Sequence, residues 1–294
     1  MSTLDHRPAG TGRLTSFGRG LLRFARTQPF GSIALGVIII FVLAALFAPL
    51  IAPYDPVAQH RDAIQLPPSG EFWLGTDDLG RDVFSRVLYG ARTSLLVALA
   101  TLATGGVLGS VIGIFSGYFG GRWIDSVLQR VMDTLMAIPG IVLLLFVAAL
   151  LGPSVRNTII ALSLLVIPSF NRVARGQMLQ IREELYVTAA RANGCGVLRI
   201  LRTHGLPNLL APMLVVMSLM LAIVMIAESA LSFLGVGTPP PTPSWGLMLS
   251  DGSRYMEIAP WMVVFPGGML AVAVLAFNLL GDALRDFFDP KQIR

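Results

Sequence analysis

Residues Glu183–Pro207 read EELYVTAARANGCGVLRILRTHGLP and form a polar, arginine-rich insert between two long apolar runs. Tyr186–Ala192 consists mostly of good helix formers, and Asn193–Gly194 tolerates the left-handed conformation that ends many helices. From Val197 onward, apolar residues alternate with arginines at helical spacing. The pattern predicts two short helices that end at a break at Leu206–Pro207. We call residues Glu183–Pro207 the insert.

The insert has two interpretations. The small residues Ala189, Ala190 and Ala192 leave a smooth surface that fits a groove on a partner protein. A basic amphipathic segment also fits the anionic inner surface of a membrane. These residues alone give the two interpretations equal weight.

The composition is that of a membrane protein. Of the 294 residues, 54% are hydrophobic and only 13% are charged, whereas soluble domains carry about 25% charged residues. The net charge of +5 comes almost entirely from arginines that flank apolar runs. Because this placement is typical of topological signals, we expect no nucleic-acid partner.

Apolar windows without charges predict an all-α protein with six membrane-spanning helices. The fourth window is too short to cross the hydrocarbon core at about 1.5 Å per residue, so we expect Arg156 and Arg172 to reach the interfaces from its ends. The windows are Thr27–Tyr54, Thr93–Gly121, Thr134–Val155, Asn157–Asn171, Gly205–Ala227 and Ile258–Gly281.

The distribution of basic residues predicts the orientation in the membrane. With the amino terminus inside, 16 of the 22 arginine and lysine residues fall in inner segments and six in outer segments. The positive-inside rule therefore places both termini and the insert in the cytoplasm. Residues 1–30 are predicted to be a cytoplasmic tail.

The sequence lacks the patterns of most catalytic and metal sites. The only lysine is Lys291, so no P-loop can be built. His6, His60 and His204 lie in separate segments, and Cys195 is the single cysteine. We therefore expect no P-loop nucleotide site and no metal site in this chain.

Two features inside the apolar runs are candidate functional elements. Glu228 interrupts the fifth run near its outer end, where it either contacts a substrate or pairs within the protein. Glycines at every fourth position of the second run form a close-packing face, either within this subunit or against a second membrane subunit. These glycines are Gly105, Gly109, Gly113 and Gly117.

The insert resembles the EAA loop of the membrane subunits of bacterial ABC importers. The resemblance rests on Thr188–Ala190, on Gly194 and on Leu206–Pro207 at the expected distance. Thr188 stands where the family has glutamate, and His204 stands where it has an aliphatic residue. In that family the loop forms the coupling helices that dock into the ATPase subunits. The resemblance implies docking roles for Tyr186, Thr188, Ala189, Ala190, Gly194, Leu206 and Pro207.

Three further stretches are similar to the second permease subunit of dipeptide and oligopeptide importers. They are FAPLIAPYDP (Phe47–Pro56), LGTDDLGRDVFSRVLYGARTSL (Leu74–Leu95) and ALSFLGVGTPPPTPSWGLMLSDG (Ala230–Gly252). With the insert, the resemblance runs from about Phe30 to the carboxyl terminus.

This resemblance implies a type I importer permease in the bacterial inner membrane. The permease domain would cover residues 31–294, with a coupling loop at about 173–207 and outer loops at about 54–92 and 232–258. Its expected partners are a sister permease, two ATPases that hold ATP and Mg, an external solute-binding protein and a peptide substrate. A nickel complex or glutathione is an alternative substrate, and an ion-coupled carrier or a non-transporting scaffold is an alternative function.

The outer segments carry their own structural expectations. Residues 76–78 offer capping side chains for a helix along the outer interface, with Asp82 and Arg86 one turn apart on it. The proline-rich stretch at 238–243 is rigid and forms either a docking surface for a binding protein or a lid on its own helices. Trp245 is expected to anchor at the membrane interface. The apolar stripe of the outer helix is Val83, Val87, Leu88 and Ala91.

Overall fold

The computed structural model describes residues 24–25 and 27–288. Most of the predicted tail and the basic residues near the carboxyl terminus, including Lys291, lie outside these residues. The described chain is mostly helical and has no strand, with one isolated bridge between Thr76 and Asp82. The prediction of an all-α membrane protein is confirmed.

The helices alternate long apolar spans with short polar elements. In chain order they are α1 (Pro29–Leu46), α2 (Ala48–Ile51), α3 (Val83–Thr101), α4 (Val107–Tyr118), α5 (Trp123–Ala137), α6 (Gly140–Leu151), α7 (Val155–Ile181), α8 (Leu185–Ala192), α9 (Val197–Ile200), α10 (Leu206–Phe233), α11 (Trp245–Ser253) and α12 (Trp261–Phe288). Two π-helical segments, Leu102–Gly106 and Leu201–Gly205, join α3 to α4 and α9 to α10.

Five helical segments of the described chain are long and apolar enough to cross a membrane. They are Pro29–Leu46, Val83–Tyr118, Val155–Ile181, Val197–Phe233 and Trp261–Phe288. The pair α5 and α6 gives a sixth span if the two are taken together, although they are bent by 93°. Pro139 lies at this bend. Its ring removes a backbone donor and disfavours the helical conformation in the residue before it, so α5 ends there.

The fourth span is longer than its charge-free window predicts. Helix α7 runs for 27 residues, so Arg172 lies inside the helix and not at its end. The expectation of a short helix is therefore wrong, whereas the placement of Arg156 and Arg172 at the interfaces stays a prediction. Beyond Arg172, α7 carries Arg175, which is paired with Asp125 on α5.

The predicted break at Leu206–Pro207 is also wrong. The chain from Val197 to Phe233 is one continuous helical segment, and Pro207 lies in the first turn of α10. The π-helical segment at Leu201–Gly205 comes directly before it. Its wider turn replaces the regular hydrogen-bond ladder at the point where proline would otherwise clash with the preceding turn.

The glycine face of α4 packs on α7 of the same chain. A β-carbon on Gly109 would lie 2.4 Å from the carbonyl oxygen of Ile167, and one on Gly113 would lie 2.5 Å from that of Asn171. Gly105 and Gly117 meet the same helix at Ser163 and Arg175. The absence of side chains on this face therefore sets the distance between the two helices.

The outer segment before α3 differs from its prediction. Asp82 is the N-cap residue of α3 and accepts a hydrogen bond from the Ser85 amide, while Arg86 pairs with Asp77. The apolar stripe that begins at Val83 is buried, because α3 is the start of a span and does not lie along the interface. Trp245 is fully buried and is therefore no interface anchor.

Candidate functional site

The first helix of the insert ends in a fully formed glycine stop. The Gly194 amide donates to the carbonyl of Arg191 at 2.9 Å, and the Cys195 amide donates to that of Ala190 at 3.0 Å. This is the Schellman pattern, in which the residue after the cap takes the left-handed conformation. Gly194 has φ +75°, whereas Asn193 stays at −81°. The predicted stop is present, and Gly194 alone supplies the left-handed residue.

An apolar cluster fixes the insert to the ends of three spans. Val187 on α8 is fully buried. We call α8 the first arm of the insert, and α9 with the π-helical segment after it the second arm. The neighbours of Val187 come from the ends of α7 and α10 and from the second arm, and Ile114 and Tyr118 of α4 pack against the same cluster. The insert is therefore part of the folded bundle and not a free loop. The other buried members are Met178, Ile181, Ile200, Leu201 and Leu209.

Two ring contacts hold the arms of the insert in place. The Arg191 guanidinium lies 5.1 Å from the centre of the Tyr118 ring on α4, within cation–π distance. The rings of Tyr186 and His204 lie 5.2 Å apart and join the first arm to the second. His204 thus uses a ring contact where the family pattern has an aliphatic residue.

The outward surface of the insert carries exposed apolar side chains. Leu185 is 85% exposed and Leu198 is 60% exposed, although both belong to short helices with buried neighbours. Tyr186 and Leu206 are also exposed. An apolar surface on a polar segment is typical of a site that binds a protein or a membrane.

The predicted docking residues differ in how far their side chains are exposed on the surface of the insert. Thr188 and Ala189 are exposed, whereas Ala190 is half-buried against the apolar cluster. Thr188 donates only a long bond of 3.4 Å to the carbonyl of Glu184 in the preceding turn. Gly194 and Pro207 are exposed as well.

A polar network close to the insert joins three helices. The Arg175 guanidinium holds the Asp125 carboxylate in a two-pronged contact, with Nε and Nη2 each 2.8 Å from one oxygen. Ser116 on α4 donates to the same carboxylate, and Gln129 donates to Ser116 at 2.8 Å and to Asn171 at 3.2 Å. The sequence carries no local signal for this network because its members lie up to 59 positions apart.

Arg182 connects α7 to the end of α4 where the insert begins. Its Nη1 donates to the carbonyl of Gly120 at 2.9 Å, and its Nε pairs with Glu183 at 2.9 Å. Carbonyls near a helix end are without partners in the helix, and an arginine satisfies them.

Glu228 is fully buried and hydrogen-bonded. Its two oxygens accept from Ser94 Oγ on α3 at 2.9 Å and from Ser232 Oγ on α10 at 2.8 Å. Because buried charges need such partners, this geometry favours the pairing interpretation over a substrate contact.

A charged cluster at the other end of the bundle ties the segment before α3 to α11. Asp77 lies 2.6 Å from Arg81 Nε and 3.3 Å from Arg86 Nε, and Arg81 reaches Asp251 on α11 at 3.7 Å. Burial raises the pKa of Asp78 above its ordinary value, and the neighbouring Asp77 raises it further. Burial likewise raises the pKa of Asp251, with Asp78 as the next contribution.

An apolar groove of about 310 Å³ opens between α4 and α10. Ser110 and Met213 face each other there, with the serine Oγ 3.4 Å from the methionine sulfur. Gly106 and Phe170 also line the groove, which ends near Leu206 of the insert.

The chain matches known membrane transport proteins over nearly its whole length. The family model of the binding-protein-dependent transport system inner membrane component matches residues 109–294, and that of the N-terminal TM domain of oligopeptide transport permease C matches residues 16–68. The dipeptide transport system permease protein DppC of Alkalihalophilus pseudofirmus is 42% identical over 87% of this chain and 84% of its own length. The protein of the same name from Haemophilus influenzae is 40% identical over 88% and 90%. The probable D,D-dipeptide transport system permease protein DdpC of Escherichia coli is 38% identical over 93% and 92%.

Proposed function

We propose, from the premise that this chain belongs to the binding-protein-dependent transport system inner membrane component family, that its insert couples peptide import to ATP hydrolysis in a separate subunit. The chain is a multi-pass permease subunit of the ABC importer type. Family members work with a solute-binding protein, as the family description states. The observation that carries the proposal is an insert with exposed apolar residues that is fixed to three spans.

The insert suits a protein groove better than a lipid surface. Its small exposed residues Thr188 and Ala189 lie beside the exposed Leu185 on one short, stopped helix. Helix-in-groove binding requires such a rigid helix with apolar anchors. One of its arginines, Arg191, contacts the Tyr118 ring of α4.

The proposed mechanism is alternating access driven from outside this chain. A binding protein delivers the solute at the outer face, and ATP binding closes the two ATPase subunits. The closing subunits displace the docked insert, and α7 and α10 follow because they share its apolar cluster. This chain performs no bond chemistry, and the ATP and Mg are held by the partners.

The proposed topology has the insert and both termini in the cytoplasm. The described ends of the chain support termini on one side, because the Phe24 and Phe287 rings lie 5.5 Å apart. The sister permease would complete the pathway as a heterodimer. We propose that the groove between α4 and α10 is the contribution of this chain to that pathway.

Peptides are the proposed substrates because the named relatives are dipeptide transport permeases. A nickel complex or glutathione would fit the same architecture. An ion-coupled mechanism is less favoured, because Glu228 is held by two serines within the bundle.

Cysteine cross-linking in the assembled transporter tests the docking. In a Cys195→Ser background, Ala189→Cys is expected to form a disulfide with cysteines placed along the groove of the ATPase subunit. Arg156→Cys, exposed at the other end of α7, is the matched control and should form none. Cross-linking at position 156 and not at 189 would contradict the proposal.

A further inference from the structure

The two halves of the bent pair are attached to the bundle in different ways. Of the 15 residues of α5, the only buried ones are Asp125 and Met132. Helix α6 instead contributes Leu144 and Ala148 to the main apolar core. Helix α5 is therefore held chiefly by polar contacts, whereas α6 is held by apolar packing.

The polar attachment of α5 is strong and geometrically specific. Asp125 is 3% exposed and receives four hydrogen bonds, two from Arg175, one from Ser116 and one from the Gly121 amide. A two-pronged arginine–carboxylate pair fixes both distance and orientation. The pair therefore allows little relative movement between α5 and α7.

The ion pair joins α5 to the part of the bundle that carries the insert. Arg175 lies two helical turns before the end of α7, where Arg182 donates to the carbonyl of Gly120. Met178, between these arginines, belongs to the apolar cluster beneath Val187 of the insert. A displacement of the insert therefore reaches Arg175 through packed and hydrogen-bonded groups.

The helix is interrupted at the opposite end of α5, where it meets α6. The two helices meet at an angle of 93°, and Ile138 has the extended conformation, with ψ 129°. Because the helical hydrogen-bond ladder is interrupted there, rotation at this point breaks no helical bond. The bend is thus a hinge between a core-anchored half and an insert-anchored half.

We propose that Asp125 and Arg175 are positioning residues that make α5 move with the insert during the ATPase cycle, with Ile138–Pro139 as the hinge. The inference rests on the proposed function, in which the ATPase displaces the insert. The outward face of α5 would then change its position relative to α6. Three exposed apolar residues mark that face, namely Trp123, Val127 and Val131.

Spin labels on the two halves of the pair test this inference. Val127→Cys on α5 and Leu150→Cys on α6 are both exposed sites, and Cys195→Ser removes the native thiol. The complete transporter in nanodiscs is measured without nucleotide and with ATP plus vanadate. We expect the distance between the labels to shift in the wild-type background and most of the shift to be lost in Asp125→Asn.

Two controls separate transmission from folding. Arg130→Gln removes a charge from the exposed side of the same helix and should leave the shift unchanged. Asp125→Asn should keep the cross-link from position 189 to the ATPase subunit, because docking does not need the pair. If the label distance in Asp125→Asn changes by as much as it does in the wild-type background, the inference is overturned.

The same measurements distinguish failure of the inference from failure of the proposed function. If position 189 does not cross-link in the wild-type transporter, the docking proposal is wrong and the inference falls with it. If position 189 cross-links but the wild-type labels show no shift, docking stands and the inference alone is wrong.

Discussion

The indole nitrogen of Trp245 donates a hydrogen bond to the carbonyl of Val87 at 3.1 Å, which joins α11 to α3. The same indole is fully buried and packs edge-on against Phe41 of α1, with the ring centres 5.7 Å apart. One side chain of an outer segment therefore joins three separate parts of the chain. The segment that follows the prolines is thus a structural part of the bundle.

Replacing Trp245 should lower the free energy of unfolding, and the loss should grow with the volume of side chain that is removed. Trp245→Ala leaves a cavity at the junction of three helices and should cost about 3–5 kcal/mol. Trp245→Phe keeps one ring in the packed site but loses the hydrogen bond and leaves a smaller cavity, so it should cost less, about 1–3 kcal/mol. Thermal unfolding in detergent measures both, and equal losses would contradict this account.

Replacing Gly194 should uncouple transport from ATP hydrolysis. A β-carbon on Gly194 meets nothing within 4 Å, so the cost of Gly194→Val comes from its φ of +75° alone. A β-branched residue tolerates this conformation poorly, at about 1–2 kcal/mol, and the helix stop should shift. We expect the assembled transporter to retain ATP hydrolysis and to lose uptake.

Asparagine is the matched control at this position, because it accepts the left-handed conformation. Gly194→Asn should therefore keep most of the uptake. Normal uptake in Gly194→Val would show that the geometry of the stop is not needed for coupling.

Adding a methyl group to the glycine face should separate α4 from α7. In Gly113→Ala, the new carbon would lie 2.5 Å from a backbone oxygen and 2.8 Å from the Ala174 β-carbon. A backbone oxygen cannot move aside by a side-chain rotation, so we expect overpacking to lower the free energy of unfolding by about 1–3 kcal/mol. Gly268→Ala on α12 is the control, because its new carbon meets nothing within 4 Å. Thermal unfolding should separate the two variants.

The charged cluster at the outer end should make stability depend on pH. Asp78 and Asp251 have raised pKa values in the folded protein, so the folded state binds more protons than the unfolded state above the ordinary value of 3.8. Stability from these groups therefore rises as pH falls from neutral towards that value.

The variant Asp251→Asn removes one of these carboxylates and should flatten the pH dependence. Its melting temperature should gain more at neutral pH than at mildly acidic pH, relative to the wild type. An unchanged slope would show that the Arg81 contact to Asp251 compensates for its burial.

Local patterns predicted the features that depend on neighbours in sequence. The stop at Gly194 follows from an Asn-Gly pair after a helical run, and the glycine face follows from a four-residue repeat. The partner of that face was not predictable, because the residues of α7 that it meets lie 58 positions further along the chain, as Gly113 and Asn171 do. The insert residues keep their docking roles as predictions.

Features that depend on distant partners were misread. Arg172 was expected at the end of a span, whereas α7 continues past it to Ile181 and carries Arg175, which pairs with Asp125 on another helix. Trp245 was expected at the membrane interface, whereas its tertiary contacts bury it. In both cases packing from elsewhere in the chain overrides the local signal.

The uninterrupted helical segment from Val197 to Phe233 spans 37 residues, a stiff rod of about 55 Å at 1.5 Å per residue. A π-helical segment and Pro212 lie near its insert end, but the backbone is helical along the whole segment, so a tilt at one end also moves the other end. If it pivots near its middle by about 10°, each tip sweeps roughly 5 Å, in opposite directions, by the same helical rise. A small push on one face of the membrane would thereby reshape the other face.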